Sequence, residues 1–144
     1  MDMLKKIINS EAECELLGSK ISSKLKPGYV ISLEGDLGSG KTTFVKGILK
    51  GLNYKYDVTS PTFTLINEYH ADLKVIHIDF YREDNIERWR EIGIDEYLYS
   101  ENLVIIEWGN MMNDILPDNV IRIYFEHTTL NKRKIYSNYE YFSN

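Results

Sequence analysis

A glycine-rich loop constrains the fold of this chain more than any other feature of its sequence. Residues 35–42 read Gly-Asp-Leu-Gly-Ser-Gly-Lys-Thr, which matches the phosphate-binding pattern G-x-x-x-x-G-K-[ST]. The apolar run Tyr29–Leu33 before the loop is typical of a buried strand. The segment Thr42–Leu52 after it places Phe44 and Ile48 on one face, as expected of a helix. A strand, a glycine loop and a helix in this order predict an α/β fold.

The same loop predicts a site for phosphate groups. Its glycines allow consecutive backbone N–H groups to turn inward onto an anion, and the N-terminus of the following helix adds partial positive charge. Lys41 contributes a full positive charge, and the Thr42 hydroxyl is a ligand that suits Mg²⁺. These residue types in this order therefore favour binding of a phosphate group together with a metal ion.

The composition and charge predict one ordinary globular domain that covers residues 1–144. The chain has 144 residues, of which 43% are hydrophobic and 27% are charged. Its net charge is −5, which argues against a protein whose main task is to hold nucleic acid. The candidates for a local basic patch are Lys132–Lys134, Arg88 and Arg90, and short charge runs of this kind are usually solvated faces.

Cysteine, histidine and apolar content predict a cytoplasmic protein with neither a membrane segment nor a His/Cys metal site. Residues 1–6 lead into acidic residues, and no stretch approaches the roughly 20 apolar residues that a membrane helix requires. Cys14 is the single cysteine and forms no internal disulfide, as expected in a reducing compartment. His70, His77 and His127 show no metal-ligand spacing with one another or with Cys14.

The remaining pattern predicts a mixed central sheet, parallel around the glycine loop and antiparallel at its edges, flanked by helices. A capping box at Ser10–Glu13 begins the first helix. The other expected elements are a hairpin of Thr64–Tyr69 and Leu73–Asp79, short helices at Asn85–Ile92, Ile94–Tyr99 and Asn110–Ile115, a central parallel strand at Leu103–Ile106, and a final hairpin of Val120–Phe125 and Lys134–Tyr141. The expected fold class is therefore α/β.

Two carboxylates follow predicted strands and are candidates for chemistry beyond phosphate binding. Glu107 ends the apolar strand Leu103–Ile106, and Asp79 ends the strand Lys74–Ile78. Because open α/β sheets bind ligands outside the carboxyl ends of their strands, both acids are expected beside the glycine loop. Hydrolysis of a nucleotide needs one group that positions the metal and another that orients the attacking water. The spacing does not decide which acid has which role.

The segment Thr59, Ser60, Pro61 and Thr62 lies between the helix that follows the loop and the next strand. Its hydroxyls either contact the terminal phosphate of a nucleotide, as nucleotide-sensing segments do, or satisfy the backbone of a turn. Trp108 directly follows the second strand-end acid, and its ring either packs in the core or joins the site. Both alternatives stay open for each of these features.

Five motifs along the chain resemble those of the bacterial TsaE (YjeE) family, the small ATPase of tRNA threonylcarbamoyladenosine biosynthesis. In order, they are residues 35–44, Val58–Phe63, His77–Arg82, Gly93–Tyr97 and Val104–Trp108. The match covers nearly the whole chain, and five motifs in the right order are far more specific than the phosphate loop alone. The resemblance implies a single P-loop NTPase domain with ATP and Mg²⁺ as cofactors.

The resemblance also implies a role for each matching position. The nucleotide would be bound by Glu11, Gly38, Ser39, Gly40, Lys41, Thr42, Thr43, Asp79 and Arg133. Mg²⁺ would be held by Thr42 and Glu107, and hydrolysis would depend on Lys41, Asp79 and Glu107. The nucleotide-sensing loop would be Thr59, Ser60, Pro61 and Thr62, with Trp108 in a functional Glu-Trp pair. Lys132 and Lys134 flank Arg133, and any of the three is a candidate for the nucleotide contact.

The implied activity is slow hydrolysis of ATP by the isolated chain, which acts together with TsaD and TsaB. In that family TsaC supplies the activated threonylcarbamoyl group for the adenosine beside the anticodon, and the ATPase reaches tRNA only indirectly through the complex. Two other functions are compatible with the loop: a small-molecule P-loop kinase and a nucleotide-gated binding module. A kinase needs an acceptor pocket and a lid that usually bears arginines, and no arginine-rich insertion is evident here.

Overall fold

The computed structural model describes residues 4–36, 38–59, 61, 64–129 and 132–137, and in these the strands belong to one sheet. The strands are β1 (Leu4–Ile8), β2 (Val30–Glu34), β3 (Ile66–His70), β4 (Lys74–Asp79), β5 (Leu103–Glu107), β6 (Ile121–Thr129) and β7 (Lys132–Ser137). The helices are α1 (Glu11–Ile21), α2 (Lys41–Gly51), α3 (Ile86–Glu91) and α4 (Ile94–Leu98), with 3-10 segments at Ser22–Lys24 and Gly109–Ile115. No helix in this part of the chain is long and apolar enough to span a membrane.

The sheet is parallel at its centre and antiparallel at both edges. Its strand order is β1-β7-β6-β2-β5-β4-β3. β2 pairs in parallel with both β5 and β6, and β5 pairs in parallel with β4. β3, β7 and β1 add antiparallel strands at the two edges. This arrangement confirms the mixed α/β sheet that the sequence predicts.

Helices cover both faces of this sheet because the central strands are apolar on both sides. Ile31 and Leu33 of β2 pack into the core beneath α1 and α2. Val30, one residue earlier, points into the opposite core with α3, α4 and the segment Gly109–Ile115. The alternation of side chains along a strand therefore assigns each position to one of two cores, and the face under α2 is the one that carries the candidate site.

Glycines allow α1 and α2 to approach each other closely. A Cβ atom placed on Gly47 would lie against the Glu15 backbone, and one placed on Gly18 would lie against the backbone of Phe44 and Ile48. Both glycines are in helix interiors, where glycine costs about 0.5–1 kcal/mol relative to alanine. This close packing brings the first turn of α1 beside the N-terminus of α2.

The structure differs from the sequence-based expectation at the edge that contains β1. Leu4–Ile8 was not predicted as a strand, yet it pairs antiparallel with β7 from Leu4↔Ser137 to Ile8↔Arg133. The strands of the final hairpin also reach further toward its turn than predicted, since β6 continues to Thr129 and β7 begins at Lys132. Positions 138–141 of the predicted second strand lie outside the described residues. These segments contain charged residues such as Lys6, Glu126 and Lys132, so they show no hydrophobic pattern, and the pairing there is made by backbone groups.

Candidate functional site

The glycine-rich loop connects the carboxyl end of β2 to the N-terminus of α2, as the strand–loop–helix pattern predicts. Gly38 and Gly40 have φ values of 75° and 105°, in the left-handed region that favours glycine. Gly40 is the N-cap of α2, and no side chain caps the first turn of that helix. The first N–H groups of α2 therefore have no side-chain cap at the loop, which is the arrangement that binds anions at helix N-termini. Leu37, inside the loop, lies outside the described residues.

Lys41 opens the helix with a side chain that is buried, at 4% exposure. Its Nζ donates a hydrogen bond to the Gly35 carbonyl at 2.7 Å and lies 3.7 Å from the centroid of the Trp108 ring. An ammonium group over an indole face is attracted by the ring quadrupole. Trp108 therefore contacts the lysine of the loop. This contact favours a role in the site for the tryptophan over a role in core packing.

Trp108 is held in an unusual backbone conformation for a large residue. Its φ and ψ are 62° and 31°, in the left-handed region, and a non-glycine residue there costs on the order of 1–3 kcal/mol. Its ring is half-buried and stacks at a tilt on Tyr81, with ring centroids 4.8 Å apart. The tryptophan thus lies between an exposed tyrosine and the buried lysine.

Asp79 and Glu107 end neighbouring parallel strands and are direct partners in the register of β4 and β5. Side chains of paired residues project on the same face, and here that face is the one covered by α2. Their exposures are 3% and 4%, so both carboxylates are buried. Asp79 Oδ1 accepts a hydrogen bond from the Tyr81 N–H at 2.8 Å. The two acids therefore lie side by side beneath the loop, as the strand-end argument predicts.

Arg133 reaches the loop from β7, at the far end of the sequence. Its guanidinium donates to the Gly38 carbonyl at 2.8 Å, and its Nε atom is buried without a hydrogen-bond partner among the described residues. Lys134 instead extends to Glu126, with 3.9 Å between the charged atoms, and Lys132 is exposed on the same strand. Of the three adjacent basic residues, Arg133 is the one that contacts the loop.

Glu11 and Cys14 approach the loop from α1. The helix begins after Ser10, whose hydroxyl accepts the Glu13 N–H at 3.1 Å, and this cap directs the first turn toward α2. The Cys14 thiol donates to the Gly40 carbonyl at 3.5 Å. Burial raises the pKa of this thiol to about 11, although the positive charge of Arg133 opposes the increase.

These residues surround one cavity of about 200 Å³. It is lined by Glu11, Cys14, Gly38, Gly40, Lys41, Thr42, Thr43, Asp79, Glu107, Trp108 and Arg133. Ten of the fifteen site residues expected from the sequence therefore line one cavity. Ser39 of the loop is buried, with an Oγ atom that has no hydrogen-bond partner in the described part of the chain.

Three oxygen-bearing side chains at the cavity suit Mg²⁺ bound together with a phosphate group. The described residues contain no cluster of three or more His, Cys, Asp or Glu side chains placed to bind a metal ion. Thr42, Asp79 and Glu107 provide oxygen atoms at the same cavity. Mg²⁺ in phosphate sites is held by one or two protein oxygens together with water and substrate phosphates, so this set fits it.

Of the expected nucleotide-sensing segment, the structure describes Thr59 and Pro61. The Thr59 carbonyl accepts hydrogen bonds from the Tyr69 hydroxyl at 3.1 Å and the Asn67 amide at 3.3 Å. Pro61 is buried, and neither it nor Thr59 is among the residues that line the cavity. Ser60 and Thr62 fall outside the described residues, so their assignment stays a prediction.

Two residues at the site had no role in the sequence-based prediction. Cys14 lines the cavity, and His77 lies beneath it, with Nε2 only 2.6 Å from Glu107 Oε2. A signal for His77 was present, because it precedes Asp79 by two residues and must share its face of the sheet. Nothing in the local sequence indicates that Cys14 meets the loop, since that contact depends on how α1 packs against α2.

The fold and the cavity define a mixed α/β protein in which a glycine-rich loop with the phosphate-binding pattern joins a central strand to a helix. The sequence model of the family described as "Threonylcarbamoyl adenosine biosynthesis protein TsaE" matches residues 8–135. The chain therefore belongs to the TsaE family, and the resemblance carried by its five motifs is confirmed.

Individual relatives agree with this membership. The tRNA threonylcarbamoyladenosine biosynthesis protein TsaE of Bacillus subtilis is 38% identical over 138 residues, which cover 94% of this chain and 85% of the relative. The TsaE protein of Aquifex aeolicus is 41% identical over 139 residues, which cover 94% and 96% of the two chains. The crystal structure of Bacillus subtilis YdiB superposes with a TM-score of 0.83 at 32% identity, covering 97% of this chain and 90% of that one.

Proposed function

We propose that this protein is a Mg²⁺-dependent ATPase that is required for threonylcarbamoyladenosine modification of tRNA and acts with TsaB and TsaD. One observation carries the proposal: two buried carboxylates, Asp79 and Glu107, are register partners at the ends of parallel strands and share a cavity with Lys41. Phosphate binding alone does not need such acids, whereas hydrolysis of a nucleotide needs groups that position a metal ion and a water molecule.

The loop binds the phosphates in this proposal. The phosphates would be bound by backbone N–H groups at the start of α2, and the Lys41 ammonium and the Arg133 guanidinium would neutralise their charge. Both cations are already directed at the loop by hydrogen bonds to its carbonyl groups. Little side-chain ordering is then required when a nucleotide binds, which preserves binding free energy.

Thr42 and Glu107 would hold Mg²⁺, and Asp79 would accept a hydrogen bond from the attacking water. When it is bound, the ion supplies positive charge that stabilises the phosphate oxygens in the transition state. The Asp79 carboxylate is oriented by the Tyr81 N–H, so one of its oxygens has a defined direction. Glu11 at the start of α1 would contact the nucleotide from the other side of the cavity.

Membership of the family supports the proposal of protein partners, and the charge of the chain supports an indirect contact with tRNA. With a net charge of −5 the protein is poorly suited to hold tRNA by itself, so contact with tRNA would be made through the complex with TsaB and TsaD. The single cysteine leads us to expect that the complex works in the cytoplasm, and this location stays a prediction.

The site is tested by replacing each acid with alanine and comparing the two variants with a matched control. We expect Asp79→Ala and Glu107→Ala to lower Mg²⁺-dependent phosphate release from ATP by about a hundredfold or more, because each removes a group that acts in the transition state. Glu101→Ala is the control: Glu101 is exposed and precedes the opposite end of β5, so its removal should leave the rate unchanged.

The same assay separates an ATPase from a small-molecule kinase. An ATPase releases ADP and phosphate in equal amounts without an added acceptor, whereas a kinase retains the phosphate until an acceptor is supplied. Two results would show that the assigned acids are not the catalytic ones. In the first, all three variants lose the same amount of activity; in the second, Asp79→Ala and Glu107→Ala keep full activity. A nucleotide-gated binding module predicts binding of ATP with negligible release of phosphate.

A further inference from the structure

His77 is a fully buried side chain with a single described hydrogen-bond partner. Its exposure is 0%, and its Nε2 atom lies 2.6 Å from Glu107 Oε2. Its other ring nitrogen, Nδ1, is buried and has no hydrogen-bond partner among the described residues. Within the described structure the ring is therefore oriented through Glu107 and through packing.

The sheet register produces this contact. Asp79 pairs directly with Glu107, and His77 pairs with Ile105 on the same neighbouring strand. His77 is thus the diagonal neighbour of Glu107 on the face beneath α2, and the two long side chains meet there. A shift of one residue in the pairing of β4 with β5 would place the imidazole on the opposite face.

The chemistry of the contact assigns its direction. As a metal ligand Glu107 would be ionised, and an ionised carboxylate only accepts hydrogen bonds, so in the proposed site Nε2 donates its hydrogen to Oε2. Because Oε2 accepts this hydrogen bond, the second oxygen of Glu107, Oε1, is the one that keeps both of its lone pairs for another ligand. A carboxylate without such a partner can rotate about its terminal torsion, which is broad and only weakly restricted.

We propose that His77 is a positioning residue that fixes the Glu107 carboxylate so that one oxygen faces the metal of the bound nucleotide. The inference rests on the proposed function, because it assigns Glu107 to the metal. Carboxylates that bind metals are themselves held by hydrogen bonds, and loss of such a partner costs about 10–100-fold in metal affinity or activity. His77 need not touch nucleotide, metal or water for this role.

A pair of amide variants tests the direction of the hydrogen bond. In His77→Gln the amide N–H₂ ends near the position of Nε2, whereas in His77→Asn it ends near the position of Nδ1. Both amides keep a polar donor in the buried position, and they differ by one methylene. Should His77→Asn fail to fold, His77→Leu replaces it with the same expectation. Ile105→Val is the packing control, because Ile105 is the register partner of His77 and has no polar group.

The measurement is binding of Mn²⁺, used in place of Mg²⁺, to the protein saturated with ADP, followed by electron paramagnetic resonance. We expect His77→Asn to weaken Mn²⁺ binding by about 10–100-fold, His77→Gln to restore most of it, and Ile105→Val to leave it unchanged. Binding of ADP without metal, measured by calorimetry, should be the same in all four proteins.

Three results would overturn the inference. They are unchanged Mn²⁺ affinity in folded His77→Asn, an equal loss in Ile105→Val, and a parallel loss of metal-free ADP binding, since the last two indicate a general effect on packing. If the unsubstituted protein binds no Mn²⁺ with ADP, the proposed function fails and the inference fails with it. The two failures are therefore distinguished by the behaviour of the unsubstituted chain.

Discussion

At the scale of single residues, burial changes the acid–base properties of the groups around the loop. It lowers the pKa of the Lys41 ammonium from its ordinary value, while the negative charges of Glu107, Asp79 and Asp36 act in the opposite direction. The charged lysine is thus held in a buried place by carboxylates and by the ring of Trp108. A bound phosphate adds negative charge beside the same ammonium, which favours its charged form further.

Cys14 provides a residue-scale prediction. Because burial raises the pKa of its thiol from 9.0 to about 11, the thiolate fraction below pH 9 should be about a hundredfold lower than in the unfolded chain. Alkylation by iodoacetamide at pH 8, measured by mass spectrometry, should be correspondingly slow in the native protein and fast in urea. Equal rates in the two states would contradict the raised pKa.

The raised pKa of Cys14 also makes the stability of the protein depend on pH. The unfolded thiol loses its proton from about pH 9, whereas the folded thiol keeps its proton until about pH 11. Between these values the folded state binds more protons, so the contribution of Cys14 to stability is fully present below pH 9 and declines as the pH rises through this window. Cys14→Ser is the control, since it removes this titration.

At the scale of elements, the packing of α1 on α2 decides which residues reach the loop. Gly47 meets the Glu15 backbone of α1, and Gly51 meets Ser22 just beyond the end of that helix. The two helices are therefore close along most of their length, and Cys14 is pressed against Gly40 at the N-terminus of α2. A change in this packing alters the site without touching any of its polar groups.

For this contact we predict that Gly47→Ala lowers the free energy of unfolding. The added methyl group would overlap the Glu15 backbone, and overpacking of this kind costs about 1–3 kcal/mol of unfolding free energy. Urea unfolding followed by circular dichroism measures the loss. Lys46→Ala, at the adjacent exposed position of α2, is the control and should change the stability by less than about 0.5 kcal/mol. Equal stabilities for the two variants would contradict the close packing of the helices.

At the scale of the whole molecule, the sheet joins distant parts of the chain into one site. Gly38 and Arg133 are 95 residues apart in sequence and are linked by a hydrogen bond of 2.8 Å. β6 and β7 extend the sheet beyond β2, the strand that leads into the loop, and β1 pairs with the outer edge of β7. The strand that carries Arg133, β7, is thus paired on both sides, which holds its side chain near the phosphates in the proposed function.

The partner proposal is tested at this scale. Purified TsaB and TsaD from the same source should be retained by the immobilised protein in at least one of three conditions: no nucleotide, ADP with Mg²⁺, or ATP with Mg²⁺. Lys41→Ala is the matched variant, because it removes one buried charge at the cavity and should abolish any difference between these conditions. Absence of retention in every condition would refute the assembly.

Much of the fold was predictable from local patterns, and the failures have physical causes. The β2–loop–α2 unit and the central strand β5 carry strong apolar periodicity, and both are present with bounds within two residues of the prediction. Leu4–Ile8 contains two lysines and lies at an edge, where backbone pairing with β7 and not side-chain burial makes the strand. A hydrophobic pattern carries no information about such a partner 130 residues away.

The sequence by itself determined the loop, the two strand-end acids and membership of the TsaE family, because each depends on residue types at fixed spacings along the chain. Only the tertiary structure decided that Arg133 contacts the loop, that Trp108 lies against Lys41, and that His77 contacts Glu107. These contacts join segments far apart in sequence. They depend on strand register and on the packing of helices against the sheet, and no local spacing encodes them.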